Sequence, residues 1–198
     1  MIPKTDRTDF LRRLGQSLTD ASVTLLEYRN KTGSDDQLLA DAAVLRLAMP
    51  HGKVSLILDD RADLVAITNF DGVHVDSGDV APRDARKLLG PDCIIGTFGG
   101  CGEFLPGVLD EPVDYWAIGP VFTTTTKQTD KRPIGLDGVS KLRAAAGPAP
   151  VLTAAAGITL ATAAAVLEAG ATSVAVAAAI FRAADPATEF LRWTRHLQ

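Results

Sequence analysis

The chain has 198 residues, 46% hydrophobic and 22% charged, with a formal net charge of −4 at pH 7. That length suits one domain, residues 1–198, with a substantial core, and the acidic balance without any basic tract excludes a nucleic-acid surface. No apolar run approaches the roughly 20 residues that cross a bilayer, so no membrane partner is expected. The opening MIPKTDRTDF carries no apolar signal-peptide core, and Cys93 and Cys101 are too few for a disulfide scaffold and lack metal-site spacing with the three histidines. Reduced structural thiols in a cytoplasmic protein are the expectation.

Along the chain, short β-branched apolar runs alternate with longer amphipathic segments. A ragged first strand is expected before Thr5-Asp6-Arg7, then strands at 23–28, 54–58, 72–75, 93–97, 115–118, 151–154 and 173–177. Helical patterns fall at 35–48, 83–89, 136–146, 161–169 and 187–196. Continuous rather than alternating apolar strands mean burial on both faces, as in a parallel sheet with helices outside. Close to eight such units predict an α/β fold, a lean (β/α)8 TIM barrel with minimal insertions. A Rossmann or flavodoxin-like sheet is the competitor, and it needs a glycine-rich fingerprint after its first strand that this chain does not have. The alanine-rich C-terminal third keeps the strand–helix rhythm and reads as close helix packing rather than a linker.

In such a barrel, chemistry sits where strands end, and the polar residues fall there. Glu27, Arg29 and Lys31 share one face by the two-residue strand period. Asp59-Asp60-Arg61 and Asp76-Ser77-Gly78-Asp79 follow the next two strands, Ala156-Gly157-Ile158-Thr159 the seventh, and Ala177-Ala178 the eighth. The strand at 115–118 runs through a Gly119-Pro120 turn into GPVFTTTTK, residues 119–127. Hydroxyls, free N–H groups and an ammonium on one loop make a grip for phosphate oxygens, against the plainer reading of a tolerant polar loop. Carboxylates from adjacent strand ends with cations nearby are the makings of a magnesium–diphosphate site; surface ion pairs and helix N-caps are the plainer alternative.

These segments resemble thiamine phosphate synthases in order along nearly the whole chain. The resemblance is carried by Thr5-Asp6-Arg7, Glu27–Lys31, Asp60-Arg61-x-Asp63-Leu64, Asp71-Gly72-Val73-His74 and Ile95-Gly96. It continues through the GPVF–TTTTK loop, Pro133-Ile134-Gly135-Leu136, Gly157-Ile158-Thr159, and Ala175-Val176 with Ala179-Ile180. It implies a transferase that joins a pyrimidine diphosphate to a thiazole phosphate, with C–O cleavage first and release of pyrophosphate. Arg29, Lys31 and Lys127 would then stabilise the leaving charge, and Asp60 and Asp79 would hold Mg2+. Thr124, Thr125 and Thr126, with backbone N–H groups at Gly157, Ala177 and Ala178, would receive the thiazole phosphate. Barrels of this size often pair, which leaves a homodimer open.

The departures from the family pattern are specific. Glu27 replaces a glutamine, Asp59 an asparagine, Ser77 a glutamine, Phe98 a small serine, Ala156 the first glycine of a pair, and Ala178 a serine. The last two are read as mild, since backbone N–H groups survive them. Glu27 and Asp59 place two extra acids before a substrate of about −3, so at least one is expected to be protonated, paired with Arg29 or Arg61, or bound to a second metal. Phe98 is expected to stack on the pyrimidine, with Gly99-Gly100 making room. Two alternatives stay open: a ligand-binding relative that has lost catalysis, and a thiazole tautomerase-like enzyme, which would carry histidine where this chain has Pro120. His74 reads as a hydrogen-bonded structural histidine, His51 and His196 as surface groups, and Trp116 and Trp193 as packing residues.

Overall fold

The computed structural model describes residues 4–124 and 130–197. Seven parallel strands pair in sequence order: β1 (Leu25–Tyr28), β2 (Ser55–Asp59), β3 (Gly72–Val75), β4 (Ile94–Gly100), β5 (Tyr115–Ile118), β6 (Leu152–Ala155) and β7 (Ser173–Ala175). Around them lie α1 (Lys4–Asp20), α2 (Asp35–Ala48), the short α3 (Val65–Thr68), α4 (Pro82–Leu89), α5 (Gly135–Ala146), α6 (Leu160–Glu168), the short α7 (Ala178–Phe181) and α8 (Pro186–Leu197). Local signals set the helix starts. The Ser34 hydroxyl accepts the Gln37 N–H at the head of α2, Pro82 opens α4, and Thr159 and Thr162 form a reciprocal capping box at α6.

Every second strand residue points outward into the helix layer. Leu56, Leu58, Val73, Val75 and Ile95 pack against Leu38, Ala42 and Leu45 of α2 and Ala85 of α4. Trp116, Ile118, Leu152 and Ala154 do the same against α5, α6 and Trp193 of α8. Each such large apolar side chain contributes about 1.5–3 kcal/mol by leaving water. The alternate residues line the inner face, where Glu27 registers with Ile57, Asp59 with His74, and His74 with Gly96. Tyr115 lies across Gly96, where an added Cβ would stand 2.0 Å from its ring. It stacks on His74 (ring centroids 5.5 Å apart) and its hydroxyl is 3.0 Å from His74 Nδ1.

Among the described residues the closed eight-stranded barrel is not formed; the stretch expected as a first strand, before Thr5, lies outside the described residues except for Lys4, which opens a helix. Residues 4–20 are helix, because Leu11, Leu14 and Leu18 recur at three- and four-residue steps and bury one face against the core. Arg7 therefore ends no strand; it reaches the buried Asp41 of α2, which also accepts from Tyr28 and Gln37. Helix α1 packs on α2 and α8, so the helix layer joins across the interval between β7 and β1, but no pairing joins those two strands among the described residues. Leu25, on the inner face of β1, is 48% exposed beside that gap.

At the end of the sheet opposite the strand tips, one device occurs three times. Arg46 of α2 donates to Asp71, whose carboxylate also accepts the Leu56 N–H at the start of β2. Arg86 of α4 does the same with Asp114 and the Ile95 N–H (both 2.7 Å). Arg143 of α5 does so with the Thr172 hydroxyl and the Leu152 N–H (2.8 and 3.1 Å). Each acceptor directly precedes the following strand, and each arginine also binds carbonyls of the turn after its helix, such as Gly90 and Cys93 for Arg86. Helix end, turn and two strands are thereby tied at a single guanidinium.

Candidate active site

The carboxyl ends of β1, β2 and β3 bring the expected acids and cations together. Asp59, with a side chain 3% exposed, lies 3.2 Å from Arg29 Nε and 3.6 Å from Lys31 Nζ, and Lys31 also bonds Asp60. Asp60 turns away from β2 in the left-handed region (φ 68°), its N–H held by the His74 carbonyl at 2.8 Å. A non-glycine residue there costs about 1–2 kcal/mol and marks a conformation imposed by the surroundings. Asp79 Oδ2 accepts the Asp76 N–H at 2.7 Å, closing the loop after β3. Arg61 takes no part: it pairs with Asp35 and Asp63, so of the two partners foreseen for the extra acids only Arg29 is used.

The electrostatics follow from crowding. Burial raises the pKa of Asp79, and the neighbouring Asp60 carboxylate adds to the rise against the Asp76 N–H bond. Asp59 is pushed up to about 6, by burial first and by Asp60 next, against Arg29 and Lys31. Glu27 is pushed up to about 7, by loss of hydration first and then by Asp59. Glu27 is crowded by protein on most sides yet reached by water, so the direction of its shift holds while its free-energy content is discounted. Asp60 Oδ1 is buried without a hydrogen-bond donor. A carboxylate oxygen lacking a donor, beside a second carboxyl, is an arrangement a hard cation relieves, so the chemistry of Asp60 and Asp79 fits the magnesium that the resemblance implies. Among the described residues no cluster of three or more His, Cys, Asp or Glu forms a metal cage. Magnesium, however, needs only one or two carboxylates where water and phosphate oxygens complete its shell.

On the far side of the mouth, the limb 119–124 leaves β5 and is bonded to the tip of β6, Val121 N–H to Ala155 O at 2.9 Å and Phe122 N–H to Ala156 O at 3.1 Å. Gly157 permits that approach, since a Cβ there would stand 2.6 Å from the Phe122 and Thr123 carbonyl oxygens. Ala156 has φ 73°, so its exchange for a family glycine carries a backbone cost of about 1 kcal/mol and is less mild than the survival of its N–H implied. Ala177 caps α7 and Ala178 opens it, leaving the first N–H groups of that turn without intrahelical partners. Thr124 is on the described limb; Thr125, Thr126 and Lys127 lie outside the described residues.

Phe98, on the inner face of β4, has the Lys131 ammonium 3.6 Å from its ring centroid, so one ring face is covered by the chain itself. Gly99-Gly100 do not clear space beside it. They form an irregularity in β4 that lets Gly100 pair with Phe104, where a Cβ at Gly100 would meet the Glu103 carbonyl oxygen at 2.0 Å. Sequence reasoning missed Lys131, whose only local mark is its place in the same polar loop, and the inner-face role of Tyr115, whose signal was glycine at 96. Trp116 packs with its Nε1 donating to Val108 O, and Trp193 is buried. His51 is half exposed but bonded to Asp71. Cys93 and Cys101 are free, and no helix among the described residues is long and apolar enough to cross a membrane.

Fold and rim define a class: a parallel β/α protein of the barrel type with charged groups collected at the strand tips, the end where barrel enzymes work. The same architecture occurs in a solved 3-hexulose-6-phosphate synthase (TM-score 0.67, 17% identity, 96% of this chain and 95% of that one), so fold alone goes no further than class. It also occurs in thiamine phosphate pyrophosphorylase from Pyrococcus furiosus (TM-score 0.82, 24% identity, covering 94% and 88%). The family model for thiamine monophosphate synthase matches residues 2–180. The thiamine-phosphate synthase of Koribacter versatilis is 40% identical over 185 residues, 92% of this chain and 85% of the relative. That of Agrobacterium fabrum is 38% identical over 169 residues, 84% and 77%. The chain belongs to the thiamine monophosphate synthase family, and the relatives named above as thiamine-phosphate synthases are transferases.

Proposed function

We propose that the chain condenses a pyrimidine diphosphate with a thiazole phosphate, releasing pyrophosphate. The observation that carries this is Arg29 and Lys31 set on Asp59 and Asp60, with Asp79 alongside, in a chain that matches the family over residues 2–180. As the C–O bond breaks, negative charge builds on the departing oxygens, and fixed cations aimed there stabilise the transition state more than the ground state. Arg29 offers a planar two-pronged donor and Lys31 a point charge; Lys127 would add a third from the threonine loop. Magnesium held by Asp60 and Asp79 would supply a further positive charge to the diphosphate. The pyrimidine cation left behind would be captured by the thiazole nitrogen. Thr124, Thr125 and Thr126, with N–H groups at Gly157, Ala177 and Ala178, would orient the thiazole phosphate. Among the acids, Glu27 and Asp59 face this positive intermediate from the inner face.

Purified protein supplied with both precursors should release pyrophosphate and form thiamine phosphate with magnesium and not without it. Absence of product under saturating precursors and magnesium overturns the reading. Recovery of product in a Glu27→Gln, Asp59→Asn, Phe98→Ser triple variant would then identify a relative that has lost turnover.

A further inference from the structure

In the ligand-free chain, Arg29 and Lys31 converge on a single anion. Asp59 Oδ2 lies 3.2 Å from Arg29 Nε and 3.6 Å from Lys31 Nζ, so one carboxylate oxygen faces both cations. Burial is uneven across this group: the Asp59 side chain is 3% exposed, against 39% for Arg29 and 44% for Lys31. A ligand entering from the mouth therefore meets the cations first and the carboxylate behind them. Lys31 also bonds Asp60, so the buried acid and the acid assigned to magnesium share one ammonium. A carboxylate this deep in the protein needs its cations, since a buried charge that loses its partner is strongly destabilising.

We propose that Asp59 is a specificity residue: a buried counter-anion that competes with the diphosphate for Arg29 and Lys31. The site then accepts a diphosphate as its magnesium complex and rejects the free polyanion. The identity of the ligand rests on the reading given above; the competition does not. Whatever draws Arg29 and Lys31 forward loosens their hold on Asp59, and the Asp59 charge repels the same ligand. That penalty grows with the charge of the ligand, about −3 for free pyrophosphate and about −1 once one magnesium is bound. Two unit charges roughly 6 Å apart in water alter a binding constant about threefold. The penalty is then about thirtyfold for the free anion and about threefold for the complex. The neutral amide that the resemblance expects at residue 59 can sit beside both cations without it. Specificity here comes from a repulsive group set against the wrong ligand.

The test is calorimetric binding of inorganic pyrophosphate at pH 8 and low ionic strength, with and without magnesium. It compares the wild-type chain with Asp59→Asn and with a control, Asp63→Asn, whose carboxylate is exposed and paired with Arg61. Asp59→Asn should tighten free pyrophosphate about thirtyfold and the magnesium complex about threefold, so the affinity gained from magnesium shrinks about tenfold. Asp59→Ser, which removes the same charge, should show the same pattern and serves where the amide variant does not fold. Asp63→Asn should leave both affinities within about twofold of wild type. Unchanged, weakened or undetectable pyrophosphate binding in the Asp59 variants overturns the proposal. So does equal tightening with and without magnesium, or an equal gain from Asp63→Asn. A chain that shows the expected gain but forms no thiamine phosphate keeps the counter-anion and loses the synthase reading; one that forms product without that gain loses the counter-anion alone.

Discussion

Glu27 and Asp59 stand where the resemblance expects neutral amides, and each solves its charge differently. Asp59 pairs with Arg29 and Lys31, whereas Glu27 holds its proton to about pH 7. Because the folded-state pKa of Glu27 exceeds the ordinary 4.5, the folded chain binds that proton more tightly than the unfolded one. The stability it lends is complete below about pH 4.5 and is lost as pH rises through about 7; Asp59 adds a parallel loss between 3.8 and about 6. Glu27→Gln should therefore match the wild-type melting temperature at pH 4 and exceed it at pH 8. A difference that is the same at both pH values would show that the carboxyl is not held neutral by the fold. These substitutions were legible from sequence as a charge problem; the partner was not, because Arg61 is the nearer of the two along the chain and only the tertiary structure brings Arg29 to Asp59 and sends Arg61 to Asp35 and Asp63.

At the scale of elements, the three arginine clamps account for much of how helices and strands are tied at the end away from the site. Arg86 and Asp114 hold the turn after α4 and satisfy the Ile95 N–H, a buried strand donor. Asp114→Ala should cost about 1–3 kcal/mol, read by urea denaturation, since that N–H loses its acceptor while staying buried. Asp84→Ala, which breaks an exposed pair with Lys87 on the same helix, should leave the midpoint unchanged. An equal loss from both would make the clamp no more than a surface ion pair. The seven strands expected after the first and all five helical patterns are present, 72–75, 115–118 and 35–48 with their expected ends and the others within three residues, because apolar period, proline and glycine act locally. Helix α1 has a weak sequence signal, because its polar opening, including Thr5-Asp6-Arg7, precedes the leucine spacing that buries its face. The short α3 and α7 carry too few turns for a periodic signal.

For the whole molecule, the open interval between β7 and β1 is the main departure from the expected barrel. Edge strands leave outward amides without ladder partners. Outward amides of β1 and β7 should exchange orders of magnitude faster than those of β3 and β4, which are paired on both sides. Uniformly slow exchange around the sheet would mean that the interval is closed in solution. By itself the sequence determined the parallel β/α rhythm, the strand tips as the polar end, the acids and cations gathered there, and the family. Each of these depends on residues close together in the chain or on an ordered set of motifs. Closure of the sheet, the choice of Arg29 over Arg61 as partner, the positive φ at Asp60 and Ala156, and the meeting of Phe98 with Lys131 were decided only by the tertiary structure. They depend on register and approach between segments tens of residues apart, where a shift of one strand position exchanges the inner face for the outer.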